Sequence, residues 1–112
     1  MRCDGTHGAL KVLCRRPELK SADGIAFDLL GRLWVATNGI DETVSGGLCR
    51  VSADGCVTQL AQNPTWLDYP TSPVFGATCA TRTTLYVANG SYNNGAPNII
   101  SLDAGVAGLP LD

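Results

Sequence analysis

The apolar positions fall in short runs bounded by turn residues. Ile25-Ala26-Phe27 stands between Gly24 and the segment Asp28 to Gly31, and Leu33-Trp34-Val35-Ala36 follows at once. A short loop ending in Gly between two apolar runs predicts a β-hairpin. Leu48 to Val51 then runs into Ser-Ala-Asp-Gly, and Val57 to Leu60 comes back. Four short strands in succession, joined by tight turns, are the expected result. No 3.6-residue period is visible, which excludes a helical repeat. Residues 15–22 (RRPELKSA) allow one helical turn and no more.

The pattern is then repeated. Phe27 corresponds to Phe75, Trp34-Val35-Ala36 to Tyr86-Val87-Ala88, Asn38-Gly39 to Asn89-Gly90, and Val51 to Leu102. Upstream, Gly8 to Pro17 aligns with Gly55 to Pro64. Val35 and Val87 are 52 residues apart, and Pro17 and Pro64 are 47 apart. A period near fifty with four strands per period reads as blades of a β-propeller. The expected fold class is therefore all-β, a partial β-propeller of about two and a half four-stranded antiparallel blades. Residues 8–14 end one blade, 24–61 make a full blade, and 72–102 make most of the next.

Propellers close with ~4–8 blades, so this number leaves sheet faces without neighbours. Leu33, Trp34, Val35, Tyr86 and Val87 on those faces would stay partly wet. Burying one large apolar side chain contributes ~1.5–3 kcal/mol, and a whole domain is stable by only ~5–15 kcal/mol. The expectation is thus a fragment of a larger propeller, or a chain that closes a ring by self-association through its exposed blade faces.

Composition narrows the picture. Of 112 residues 45% are hydrophobic and 16% charged, which is globular. The net charge is −2 and the basic residues adjoin only at Arg15-Arg16, so the footprint of a nucleic-acid partner is missing. No apolar run reaches the ~18 residues of a membrane span. The start, MRCDGTHG, lacks the pattern of a signal peptide, and the compartment stays undetermined. The five cysteines include no CxxC pair, so the usual zinc and redox spacings are absent. Cys49 falls on the opposite strand face from Cys56, so free thiols packed as small apolar residues are expected. Cys3, His7 and Cys14 match no standard metal spacing. The GxSxG motif of serine hydrolases is also absent.

Several stretches carry a resemblance. ADGIAFDLLGRLWVATNG, GGLCRVSADGCVTQLA, LDYPTSPVFG, TTLYVANG and SLDAGVAGLPL resemble, in this order, the C-terminal part of the gluconolactonase, senescence-marker-protein and luciferin-regenerating-enzyme family. The resemblance spans residues 4–111 and is closest to a branch whose members are often exported. It implies a six-bladed propeller of which this chain supplies the last blades. It also implies a divalent-metal-dependent lactonase or related hydrolase acting on a lactone or sugar-derived small molecule. The family holds one cation, calcium in the first instance and zinc in the second, with a Glu, two Asn and an Asp from four blades. The Asp lies in an Ala-Asp-Gly or Pro-Asp-Gly step, here Ala22-Asp23-Gly24. Asp23 is therefore the implied metal ligand and the implied catalytic base. The second copy has Thr71-Ser72 at the matching place, which could contact substrate.

Other readings stand beside this one. Asp-Gly is an ordinary turn dipeptide, as at Asp54-Gly55, where no chemistry is expected. The chain could be a non-catalytic NHL-like propeller used as a binding module, or a strictosidine synthase-like one. Asn38 and Asn89, each before Gly, read as left-handed turn residues. Trp34 and Tyr86 read as inter-blade core. Asn89-Gly90-Ser91 fits a glycosylation acceptor, and SYNNGAP, residues 91–97, reads as a surface connection. The Glu and both Asn ligands of the family have no counterpart here, so the chain alone is expected to be inactive.

Overall fold

The computed structural model describes residues 3–41, 44–62, 64, 66–91 and 97–110. Seven strands form two antiparallel sheets. β1 (Ala22–Phe27), β2 (Leu33–Asp41), β3 (Val44–Val51) and β4 (Val57–Gln62) make the first, in the order β1-β2-β3-β4. β5 (Pro70–Phe75), β6 (Thr84–Asn89) and β7 (Asn98–Asp103) make the second, in the order β5-β6-β7. Each is a meander in which chain order equals spatial order, as in a propeller blade. The fold is all-β and partial-propeller-like. The middle of the SYNNGAP connection, residues 92–96, lies outside the described residues.

Equivalent residues occupy equivalent places. Leu33 pairs with Val51 and Leu85 with Leu102, while Val35 pairs with Cys49 and Val87 with Ile100. The repeat read from the sequence is thus a repeat of register. The helical segment is a single 3-10 turn at Pro17–Leu19.

The sheets face each other through Trp34, Leu48, Leu67, Leu85 and Val87, all at most 2% exposed. Phe75 meets Trp34 edge to face, with ring centroids 5.8 Å apart. Arg50, opposite Trp34 on β3, lies with its guanidinium 5.6 Å from the Trp34 ring centre. At ~1.5–3 kcal/mol per buried large side chain, this layer matches the net stability of a small domain.

The outward face of the first sheet is covered at its middle strands and open along β1, where Ile25 and Phe27, paired with Val35 and Leu33, stay about half exposed. Side chains alternate along β2, so Val35 turns away from Trp34. Val35 packs there with Cys49 and Val51, under Cys14 and Leu19 of the N-terminal segment. Tyr86 is only half-buried and lies outside the inter-sheet core, because alternation along β6 gives that place to Leu85 and Val87. On the second sheet the outward face is open as well, with Val74 and Ile99 exposed.

Two further expectations are revised. Residues 6–16 form no strand, since no neighbouring strand offers them a ladder. Instead the backbone at Leu13 lies over the turn at Gly55, where an added Cβ would stand 2.7 Å from the Leu13 carbonyl oxygen. The five cysteines are free thiols, but only Cys49 is fully buried; Cys3, Cys56 and Cys79 are exposed. The radius of gyration is 14.7 Å, against about 13 Å for a compact chain of this length.

β5, the first strand of the second sheet, lies against both β1 and β2 of the first. A Cβ at Gly24 would strike the Thr71 carbonyl oxygen and stand 2.8 Å from Ser72 Cα. These are backbone atoms and cannot swing aside. Gly24→Ala is therefore expected to lower stability by ~1–3 kcal/mol. Urea unfolding checks it, through a lower midpoint at unchanged slope.

Candidate functional site

β1 starts with a β-bulge. Ala22 pairs with Thr37 and Ile25 with Val35, so one extra residue is accommodated around Asp23-Gly24. Ser21 before it is left-handed, with φ of 59°, and its carbonyl accepts the Asn38 N–H at 2.9 Å. β5 starts in the same manner: Pro70 pairs with Asn89 and Ser72 with Ala88, which leaves Thr71 as the extra residue. Tyr69 before it is left-handed too, with φ of 58°. Bulges bend a strand and re-aim its side chains. Here two of them bring Asp23 and Thr71-Ser72 to the same end of the paired sheets.

Asp23 is exposed, as is Ser72; Thr71 is half-buried and its hydroxyl lies 3.5 Å from the Ala88 carbonyl oxygen. The carboxylate thus lies in solvent near the start of the edge strand β1. Asp54, in the other Asp-Gly step, acts as a turn former. Its Oδ1 accepts the Ser52 hydroxyl at 2.6 Å and the Cys56 N–H at 3.1 Å. Those bonds hold its carboxyl below the ordinary value, the Ser52 hydroxyl contributing most.

Asn38 and Asn89 are not left-handed turn residues. Both lie within strands, and positive φ falls instead on Ser21, Tyr69 and Ser91. Their amides act as clamps. Asn38 Nδ2 donates to the Pro70 carbonyl at 2.6 Å and ties β2 to β5. Asn89, buried, accepts the Asp68 N–H at 2.7 Å and donates to the Trp66 carbonyl at 3.2 Å. The two equivalent residues hold the loops at the Asp23 end in place.

Among the described residues no group of three His, Cys, Asp or Glu side chains comes together. Hard cations take six or more oxygen ligands, several of them from the protein. Asp23 offers one carboxylate and the two clamping amides are engaged elsewhere.

The carboxylate that sequence reading passed over is Asp28. It is fully buried at the β1–β2 turn. Its Oδ1 accepts the backbone N–H of Leu30 at 2.9 Å and of Arg32 at 3.0 Å. Its Oδ2 accepts Arg32 Nε at 2.8 Å and Trp34 Nε1 at 2.9 Å. Burial pushes this carboxyl up, but the bonds from Trp34, Arg32 and Leu30 outweigh that and hold it below its ordinary value. Asp28 is a structural anchor that orients Trp34. The signal was available, since an acid, a base and a Trp fall within seven residues around a hairpin Gly.

The C-terminal stretch AGVAGLP closes the same end. The Leu29 N–H donates to the Ala107 carbonyl at 2.9 Å, and the Leu109 N–H to the Phe27 carbonyl at 3.0 Å. The Gly108 N–H donates to the Arg82 carbonyl at 3.0 Å, so one strap binds both sheets. A hollow of roughly 380 Å³ lies beneath it, lined by Leu29, Phe75, Thr78, Cys79, Arg82 and Leu109. It sits at the far end of β1 from Asp23 and belongs to a different part of the surface. No described helix is long and apolar enough to cross a membrane.

Asp28 gives a pH dependence. Its folded carboxyl is depressed, so its contribution is present above the ordinary carboxylate range and is lost as pH falls through the folded value. Thermal unfolding between about pH 7 and pH 3 should show a falling midpoint, and Asp28→Asn should flatten that slope. Asp28→Ala, which strands the buried Trp34 N–H, should cost ~1–3 kcal/mol or more at neutral pH. No protein-family model matches the chain, and no curated protein matches it.

Proposed function

We propose that this chain contributes two adjacent blades to a metal-dependent, lactonase-like hydrolase of the gluconolactonase-like kind. The observation that carries the reading is the position of Asp23. It is a solvent-facing carboxylate on a bulge at the start of an innermost strand, beside the matching bulge of the next sheet. Residues at such places converge on a propeller axis. In this reading Asp23 is one ligand of a divalent cation, calcium or zinc, and accepts the proton of the water that opens the lactone. In the same reading exposed Ser72 and half-buried Thr71 contact the substrate. The remaining oxygen ligands come from sheets other than these two, so residues 1–112 alone neither bind the cation tightly nor hydrolyse a lactone.

The test uses the product of the whole reading frame that contains these residues, beside its Asp23→Asn variant. Calcium titration and hydrolysis of a sugar δ-lactone are measured on both. The expected result is calcium-dependent hydrolysis that drops ~10²–10⁴-fold in the variant, the usual worth of a positioned general base. Metal-independent behaviour, with the variant indistinguishable from the parent, would sink the reading in favour of a non-catalytic binding propeller.

A further inference from the structure

The hollow beneath the C-terminal strap measures roughly 380 Å³. Small-molecule sites span ~300–1,000 Å³. Leu29 enters it from the β1–β2 turn, Phe75 from β5 and Leu109 from the strap. Its walls thus come from the two sheets and the segment across their seam, not from the outer face of either. Further sheets beside the pair leave such a hollow in place.

The hollow is preformed. In the β5–β6 loop the Gly76 N–H donates to the Thr84 carbonyl at 3.0 Å and the Thr81 N–H to the Thr78 carbonyl at 3.1 Å. The Thr78 and Thr81 hydroxyls bond each other at 2.8 Å. Across the hollow Gly108 lies on Phe75, which an added Cβ would strike. The Phe75 ring is itself held edge to face by Trp34. Walls fixed in this way need little further ordering when a ligand enters.

The lining is apolar with one cation. Leu29 and Leu109 are about half exposed, so both keep apolar surface for an occupant. Arg82 is the one charged residue of the lining. Among the described residues the ion pairs are Arg16–Glu18 and Arg32–Asp28, and Arg82 stands without a counter-ion. A guanidinium offers paired N–H donors that match the two oxygens of a carboxylate. One cation balances the single charge of a carboxylate, whereas a phosphate monoester carries up to about two.

We infer that this hollow binds a small monocarboxylate with an apolar tail. The carboxylate meets Arg82, and the tail lies along Leu29, Phe75 and Leu109. Such an occupant touches both sheets and the strap, so it holds the seam closed and stabilises the fold as it saturates. Cys79, exposed and in the same lining, reports on occupancy. The hollow and Asp23 lie at opposite ends of β1, and the inference is independent of the lactonase reading.

The test adds octanoate to the product of the whole reading frame, with octanol and octyl phosphate for comparison. Maleimide labelling is followed at each cysteine by peptide mass. Octanoate should slow labelling of Cys79 several-fold and saturably, while labelling of Cys56, exposed at the β3–β4 turn, stays unchanged. The midpoint of thermal unfolding should rise over the same concentrations. Arg82→Gln should abolish both effects without lowering the midpoint of the free protein, because the group of Arg82 that holds Gly108 is its carbonyl. Leu109→Glu, which gives Arg82 a carboxylate from the chain itself, should abolish them too. Unprotected Cys79 overturns the inference. So does protection by octanol equal to that by octanoate, or protection that survives in both variants. Stronger protection by octyl phosphate overturns the choice of a monocarboxylate.

Discussion

The approach of β5 to the first sheet is the constraint on which the rest depends. It brings backbone against backbone, and only residues without a Cβ allow it. Gly24 faces the carbonyl oxygen of Thr71 and the Cα of Ser72; Gly46, on β3 with φ of 137°, faces the ring of Pro70. With these contacts made, the inner strands run side by side and the larger side chains fill the space behind them. Trp34, Leu48, Leu67, Leu85 and Val87 then form a layer between the sheets. A side chain at Gly24 would hold β1 and β5 apart and loosen that layer.

Polar groups complete what packing begins. Asp28 fixes Trp34 through its indole N–H and is itself held by Arg32 and two backbone donors. The C-terminal strap ties the Asp28 turn to the Arg82 loop, and Asn38 ties β2 to β5 at the other end. Both ends of the inter-sheet seam are thus pinned by hydrogen bonds across it. This arrangement leaves Asp23, with no large partner of its own, free in solvent. A buried, fully bonded carboxylate serves structure, while an exposed one on a bulge remains available for chemistry. The two acids, Asp23 and Asp28, lie five residues apart on one hairpin, the first exposed and the second buried.

Much of the architecture is legible in the residues alone. Strand positions, the meander order and the correspondence of Val35 with Val87 follow from alternation and turn chemistry, which act over a few residues. Asp23-Gly24 is singled out by the resemblance alone, since locally Asp-Gly is an ordinary turn dipeptide. Asn38 and Asn89 show the limit of that reasoning. Before Gly each reads as a turn residue, yet each belongs to a strand and spends its amide on a segment more than twenty residues away. Residues 8–14 show another limit, since a strand exists only where another strand receives it.

By itself, then, the sequence determined the all-β class, the repeat and its register, because these arise from patterns with a period of two and from short turns. Tertiary structure alone decided which faces are covered, that Asp28 is the buried anchor, and that Tyr86 stays outside the core. Those outcomes depend on which distant segment arrives at a given face, and neighbouring residues carry no record of that.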